Sequence, residues 1–391
     1  MVSIEKSRHF EPYEDFASEV VSYVLKNETA PLQRPLYFVS NPHSKDGRYY
    51  WFICDFAPNS TWEGSWDSMA CLDLETDEIY YHPDINTLPG WCNAVVDEIT
   101  GDIYWSTCGY VYHKKPQPDS PVDIVGKIPA EWQKIGGKPT CHMTLSADRS
   151  ELALDVVDGN DTYICTLKIA TGEFELWCKL HGGWDRTQFN PADKDVMMFA
   201  MNLYQDIVNG ERKSIGINED GKLTRIWTMR RGEEPRCHLP MYKEASHEWW
   251  SADGKTIYYN DWKKGICSID YKTGETRLVH PTGFRHGYSS PDDKYFAADI
   301  FLYDDKLDWW RGCAISVNFF NSLTGRPIDI ITRNPALYAS HEDCPYHIDP
   351  HPRFIMDGKY IHHCTTVTGK SSIGFTDVEQ LIRLSSDHLG K

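Results

Sequence analysis

Short runs of aromatic and aliphatic residues alternate with acidic or Gly-containing turns along the whole chain. Seven turns are each followed directly by such a run: Asp46-Gly47, Gly101-Asp102, Ala147-Asp148, Ala192-Asp193, Asp253-Gly254, Asp292-Asp293 and Asp357-Gly358. The runs behind them, such as Ile103-Tyr104-Trp105, Val196-Met197-Met198-Phe199-Ala200 and Thr256-Ile257-Tyr258-Tyr259, have the length and the β-branched and aromatic content of buried strands. Five of the seven units contain a second turn, for example Ile169-Ala170-Thr171-Gly172-Glu173 and Ile269-Asp270-Tyr271-Lys272-Thr273-Gly274-Glu275. A turn, two β-rich stretches and another turn, recurring at roughly 40 to 65 residues, is the period of a propeller blade. The pattern therefore predicts an all-β, seven-bladed β-propeller as one domain over residues 1–391.

Local detail follows from the same reading. Leu36-Tyr37-Phe38-Val39 and Tyr49-Tyr50-Trp51-Phe52-Ile53 read as two buried strands joined through Asp46-Gly47. Residues 12–26 read as a helical turn passing into a strand that leads into the first blade. Pro116, Pro118, Pro121 and Pro129 exclude regular ladder pairing and mark a loop over one face of the disc. The run Asp377-Val378-Glu379-Gln380-Leu381-Ile382 predicts a short terminal helix.

Composition narrows the function. The formal charge is −17, and no basic run is longer than a pair, which argues against a nucleic-acid surface. No apolar stretch approaches the roughly 20 residues that span a bilayer, so no membrane partner is expected. Twelve cysteines at long intervals, without a Cys-x-x-Cys pair, suit free thiols in a reducing cytoplasm, and Met1-Val2-Ser3-Ile4-Glu5-Lys6 does not open a secretory signal. An acidic chain that binds an acidic ligand must concentrate cations, as arginines or a metal, in one cleft.

Histidines supply the candidate chemistry. His142, His247, His286 and His351 each stand six residues before a turn anchor, at Asp148, Asp253, Asp292 and Asp357; Arg186 stands seven before Asp193. If each blade begins with its innermost strand, these positions fall at matching depths around one axis and converge on one pocket. In Tyr346-His347-Ile348-Asp349-Pro350-His351-Pro352 the strand period of two places His347, Asp349 and His351 on one face. Imidazole and carboxylate together suit Mn2+, Fe2+, Zn2+ or Ni2+, with His286 as a further ligand from the preceding blade. Ser246-His247-Glu248-Trp249-Trp250 is no zincin, because Ser251 stands where the second His is needed. His362 and His363 face opposite ways on a strand and are left out of the site.

These residues resemble one family, the oligogalacturonate lyases, seven-bladed propellers that split short pectin-derived uronides by β-elimination. Glu19-Val20-Val21 and Arg34 are similar to the family's opening segment, Ser246-His247-Glu248-Trp249 to its Thr-His-Glu-Phe-Trp signature, Arg285-His286 to its Ser-His, and Asp349-Pro350-His351-Pro352 to its His-Pro-His-Pro. The resemblance implies His286 and His351 as ligands of a divalent metal, Mn2+ by first choice, and His247 as the base or its neighbour. Asp349 replaces the first His of the motif, Tyr346 or His347 stands near the family's glutamine ligand, Arg186-Thr187 replaces a His-Pro, and Arg212 or Lys213 stands for its arginine. The expected site is thus His247 as base, Arg186 and Arg212 as carboxylate or oxyanion partners, and His286, His347, Asp349 and His351 as metal ligands. Arg34, His142, Trp249 and Arg285 are expected to bind an acidic oligosaccharide. A non-catalytic glycan- or protein-binding propeller, or a propeller glycoside hydrolase, is the alternative.

Overall fold

A computed structural model describes residues 1–56, 67–87, 94–134, 138–139, 142–203, 205–208, 211–214, 225–239, 244–281, 285–302, 313–337 and 349–386. Seven antiparallel sheets stand in a ring and form a seven-bladed β-propeller. Every blade runs from an inner strand outwards, as the sequence period requires. The innermost strands of blades 1 to 6 are Leu32–Arg34, Ala94–Val96, Thr144–Leu145, Gly183–Asn190, Ala245–Trp250 and Gly287–Ser289. Blade 7 begins at Arg353–Ile355, continues through Tyr360–Thr365 and Ser372–Asp377, and is completed from the other end of the chain by Val21–Leu25 and Phe10–Glu14.

This closure corrects the reading of residues 12–26, which belong to the last blade and not to an approach to the first. Val24 pairs with Gly374, Tyr23 with Phe375 and Ser22 with Thr376, and the hydroxyls of that last pair lie 2.7 Å apart. Joining both ends of the chain in one sheet leaves the ring without a free edge between its first and last blades. The terminal helix, Val378–Ser386, packs beside blade 6, where the Asn321 amide donates to Ser385 Oγ.

The turn anchors are built alike. In Ser44-Lys45-Asp46, Ser146-Ala147-Asp148, Ser251-Ala252-Asp253 and Ser290-Pro291-Asp292, the serine hydroxyl donates to the carboxylate two residues on, at 2.6 to 2.9 Å. The same hydroxyl accepts the backbone N–H of the first residue of the next strand, Tyr49, Glu151, Thr256 or Tyr295, at 2.9 to 3.0 Å. Each turn thereby satisfies its own backbone and pins the inner strand to the second. At Gly254 the backbone has φ +69°, and a Cβ there would lie 2.1 Å from Asn190 Oδ1, so the anchor also fixes the approach of blade 4 to blade 5.

Apolar side chains fill the wedges between blades. Trp51, Met69, Ile103 and Trp105 join blades 1 and 2; Leu152, Tyr163 and Trp132 join 2 and 3; Phe319, Ile330 and Ile361 join 6 and 7; Tyr50, Phe52, Tyr360 and Phe375 close the ring between 7 and 1. The core is therefore a set of inter-blade layers, and the axis is left to polar and aromatic residues.

Two local expectations fail. Leu36-Tyr37-Phe38-Val39 is a turn, with Ser40 N–H donating to Tyr37 O at 2.8 Å; Pro35 and Pro42 on either side remove ladder donors. The proline-rich stretch includes a strand, Asp123–Lys127, which forms the outer edge of blade 2 with a register shift between Ile124 and Gly126. An outer edge tolerates the neighbouring prolines because only one side needs pairing. Among the described residues no helix is long and apolar enough to cross a membrane.

Candidate active site and metal centre

An inner strand of some six residues is about 20 Å long, so residues ahead of it lie at the opposite end of the axis from the anchor turns. At that end three non-glycine residues adopt left-handed backbone: Arg186 (φ 63°), His247 (φ 49°) and His351 (φ 47°). The pairing of blade 4 shifts between Asp185 and Gln188, and that of blade 5 between Ser246 and Trp249, so two of these residues sit in bulges of the inner strand. Left-handed conformation costs a residue with a Cβ free energy, and such positions cluster where function sets the geometry. Here it re-aims the side chain away from the pleat. His351 is thus not one of a row on an extended strand; Asp349 and His351 precede the strand of blade 7 and reach the axis through this turn.

His247, His286 and His351 form a continuous group, with ring centroids 4.3 Å apart from His247 to His286 and 4.3 Å from His286 to His351. Ligand atoms of His286, Asp349 and His351 all lie within 4.8 Å of one another, and all three residues are buried. His286 is held from behind by Asp299, whose two carboxylate oxygens accept its backbone N–H at 2.9 Å and its Nδ1 proton at 2.8 Å. That bond fixes the tautomer and leaves the Nε2 lone pair for the cluster, the arrangement that orients metal-bound imidazoles. Two imidazoles and one carboxylate, with a carboxylate behind one imidazole, fit a divalent transition metal.

Tyr37 and Phe38, carried on the turn after the first strand of blade 1, fill the centre of the group. The Tyr37 ring lies 4.6 Å from His142 and 4.7 Å from His351, and its hydroxyl accepts from Arg186 Nη1 at 3.0 Å. Phe38 lies 5.7 Å from His286 and 6.1 Å from His247. Arg225 donates to Glu248 at 2.8 Å, in the buried layer beside His247. Burial, followed by the neighbouring His286, Arg186, Arg225 and Arg285, holds the His247 imidazole far below its ordinary pKa and hence neutral. His142 is held low by burial and then by Arg186 and Arg225. Neutral imidazoles at His142 and His247 beside guanidinium groups can accept a proton and attract an anion.

The structure brings together His142, Arg186, His247, His286 and His351, the residues at the matching register, and adds Asp349 beside His286 and His351. Arg285 is near but serves differently: its guanidinium lies 4.7 Å over the Trp262 ring and 4.9 Å from the Phe301 ring. Two residues expected to bind substrate, Trp249 and Arg34, lie within the blades. Trp249 is fully buried, stacked between Tyr258 and Tyr288, because the bulge that carries His247 turns Trp249 into the layer between blades 5 and 6. Arg34 is buried and ion-paired with Asp55 and Asp67 inside blade 1. Arg212 lies on a hairpin strand, Glu211–Ser214, set between the second and third strands of blade 4, and its side chain falls outside the described residues, as do His347 and Tyr346. Sequence reasoning missed Tyr37, Asp299, Arg225 and Trp262. Only Tyr37 carried a signal, its place two residues after Pro35; the others become neighbours of the site through folding alone.

Below Phe38 the axis opens into a cavity of about 480 Å³, lined by residues such as Asn41, Ser146, Gln188, Ser251 and Arg353 at the anchor-turn end. His43 is among its walls, whereas His142, His247, His286 and His351 are not.

The fold and site define a propeller with an axial histidine–carboxylate centre. Two solved structures share that fold over nearly the whole chain. An oligogalacturonate lyase in complex with manganese superposes with a TM-score of 0.71 at 18% identity, covering 94% of this chain and 96% of that one. The oligogalacturonate lyase from Vibrio parahaemolyticus gives 0.71 at 15% identity, with the same coverage. No protein-family model matches the chain, and no curated protein matches it in sequence.

Proposed function

We propose that this protein is a divergent oligogalacturonate-type lyase that cleaves uronic-acid-containing oligosaccharides by β-elimination with the help of a divalent metal, Mn2+ by first choice. The observation that carries the reading is the convergence of His286, Asp349 and His351 within 4.8 Å beside the neutral His247 ring. The manganese-bound lyase of the same fold supports the choice of ion.

The reaction removes the weakly acidic proton at C5 of a uronate while negative charge spreads onto the adjacent carboxylate, and the C4–oxygen bond then breaks. His286, Asp349 and His351 would hold the cation, which would supply charge neutralisation at that carboxylate. His247, kept unprotonated by its surroundings, is the group to accept the C5 proton. Arg186, oriented by its bond to the Tyr37 hydroxyl, meets the developing charge from the blade 4 side. Phe38, fully buried among the rings, and the half-buried Tyr37 limit the access of water to the proton-transfer path.

The test is turnover of oligogalacturonides with added Mn2+. Elimination creates a conjugated C4–C5 double bond, so ultraviolet absorbance must rise with cleavage, and substrate whose carboxylates are reduced to alcohols must be inert. Cleavage without new absorbance would make the protein a hydrolase, and binding without cleavage a glycan-binding propeller.

A further inference from the structure

Trp262 is more open to solvent than Tyr37, which is half-buried, or Phe38, which is buried. It lies in the turn between Thr256–Asp261 and Gly265–Asp270 of blade 5, and it is 39% exposed. Its ring meets the His247 ring at 5.8 Å and 66°, an edge contact. The Arg285 guanidinium covers one face at 4.7 Å and is itself backed by Phe301. With Arg285 over the ring at 4.7 Å and the His247 ring at 5.8 Å, the part of the indole that solvent reaches adjoins His247.

The turn that presents this surface is fixed. Asp261, fully buried, accepts the backbone N–H groups of Lys263 and Lys264 at 2.9 and 3.0 Å, and Trp262 N–H donates to Glu244 O at 3.1 Å. Lys263 and Lys264 carry two ammonium groups on the same turn, with Lys263 paired to Glu244 at 2.8 Å and Lys264 to Asp261 at 3.6 Å, on a protein whose net charge is −17. A rigid, half-open indole with cations at its edge suits a flat apolar face carried by an anionic molecule. A uronate pyranose is such a molecule: its axial C–H bonds make one apolar face, and its carboxylate projects from the ring edge.

We propose that Trp262, locked by Arg285, is a saccharide subsite that stacks the sugar next to the one attacked at His247, with Lys263 and Lys264 drawing its carboxylate. This rests on the oligosaccharide reading above. Trp262 contributes to binding through ring contact, and the reacting sugar lies on the other side of His247.

Binding of tetragalacturonate to chelator-treated protein, which cannot turn over, is measured by calorimetry and by tryptophan fluorescence. Trp262→Ala is expected to weaken binding at least tenfold and Trp262→Phe less than threefold, with circular dichroism unchanged. In the metal-loaded enzyme Trp262→Ala is expected to raise KM by a similar factor with kcat within twofold. If the wild type binds tetragalacturonate and Trp262→Ala binds it equally well, the subsite is refuted while the oligosaccharide reading stands. If the wild type binds neither tetragalacturonate nor a shorter uronide, both fail together.

Discussion

At position 247 glycine should be better tolerated than alanine, against the usual order in strands. His247 holds φ 49° inside an inner strand, whereas its neighbour Ser246 pairs regularly with Asn260. Left-handed backbone costs a residue with a Cβ roughly 1–2 kcal/mol, whereas glycine in a strand costs roughly 0.5–1 kcal/mol through the entropy it loses. His247→Gly should therefore be more stable than His247→Ala by about 0.5–1 kcal/mol. Ser246→Ala should exceed Ser246→Gly by roughly the same amount. Loss of the imidazole or of the hydroxyl is common to both members of a pair and cancels. An unfolding entropy of about 2.1 cal/mol/K per residue over 391 residues amounts to roughly 0.8 kcal/mol/K, so the inversion appears as about 1 °C in midpoint within each pair. Scanning calorimetry of the four variants under one buffer resolves that difference. Alanine equal to or above glycine at 247, with the normal order at 246, would falsify the bulge as the device that aims the base.

Four further outcomes are expected. Trp249→Ala should destabilise the protein by about 3–5 kcal/mol through the cavity it leaves, seen in urea unfolding, while uronide affinity of the remaining folded protein is unchanged. Asp299→Asn, which keeps the shape but cannot accept the His286 Nδ1 proton in the same way, should weaken Mn2+ binding some 10- to 100-fold in a chelator competition. His351→Ala should abolish tight Mn2+ binding and turnover while near-ultraviolet circular dichroism persists; full occupancy would place the metal elsewhere. His43, pushed by burial down to about 4 from an unfolded value of about 6.5, donates through Nδ1 to Ser44 O and accepts Met356 N–H at Nε2. The unfolded chain therefore binds the proton first, so stability is level above pH 6.5 and falls towards pH 4 by up to about 3 kcal/mol from this group; calorimetry of His43→Asn should show a shallower fall.

Much of the fold was written in local chemistry. The Ser-x-Asp turns satisfy themselves within six residues, so their spacing along the chain reports the blades directly. The register of His142, Arg186, His247, His286 and His351 ahead of those turns carried over into a common axial position because every blade starts from its innermost strand. What escaped depends on contacts between distant segments. Val21–Leu25 shows nothing in its own sequence of the pairing with Ser372–Asp377. Trp249 looked like a site residue beside His247, yet a single bulge sends the two side chains opposite ways, one to the axis and one into the core. Asp299 stands on the second strand of its blade, and its tie to His286 depends on the lateral fit of those strands.

The division of labour between core and axis explains why the site tolerates such unfavourable groups. Inter-blade layers such as Tyr50, Phe52 and Phe375, or Phe319 and Ile361, carry the apolar burial. Left-handed residues, buried neutral histidines and guanidinium groups are therefore concentrated where few blade contacts depend on them. Under the proposed reaction this arrangement has a chemical consequence. Of the cations that help keep His247 unprotonated, Arg186, Arg225 and Arg285, it is Arg186 that the proposed reaction sets against the uronate carboxylate. Binding of the anion offsets the effect of Arg186 on the imidazole, so His247 becomes a stronger proton acceptor when substrate is in place than when the axis is open to water.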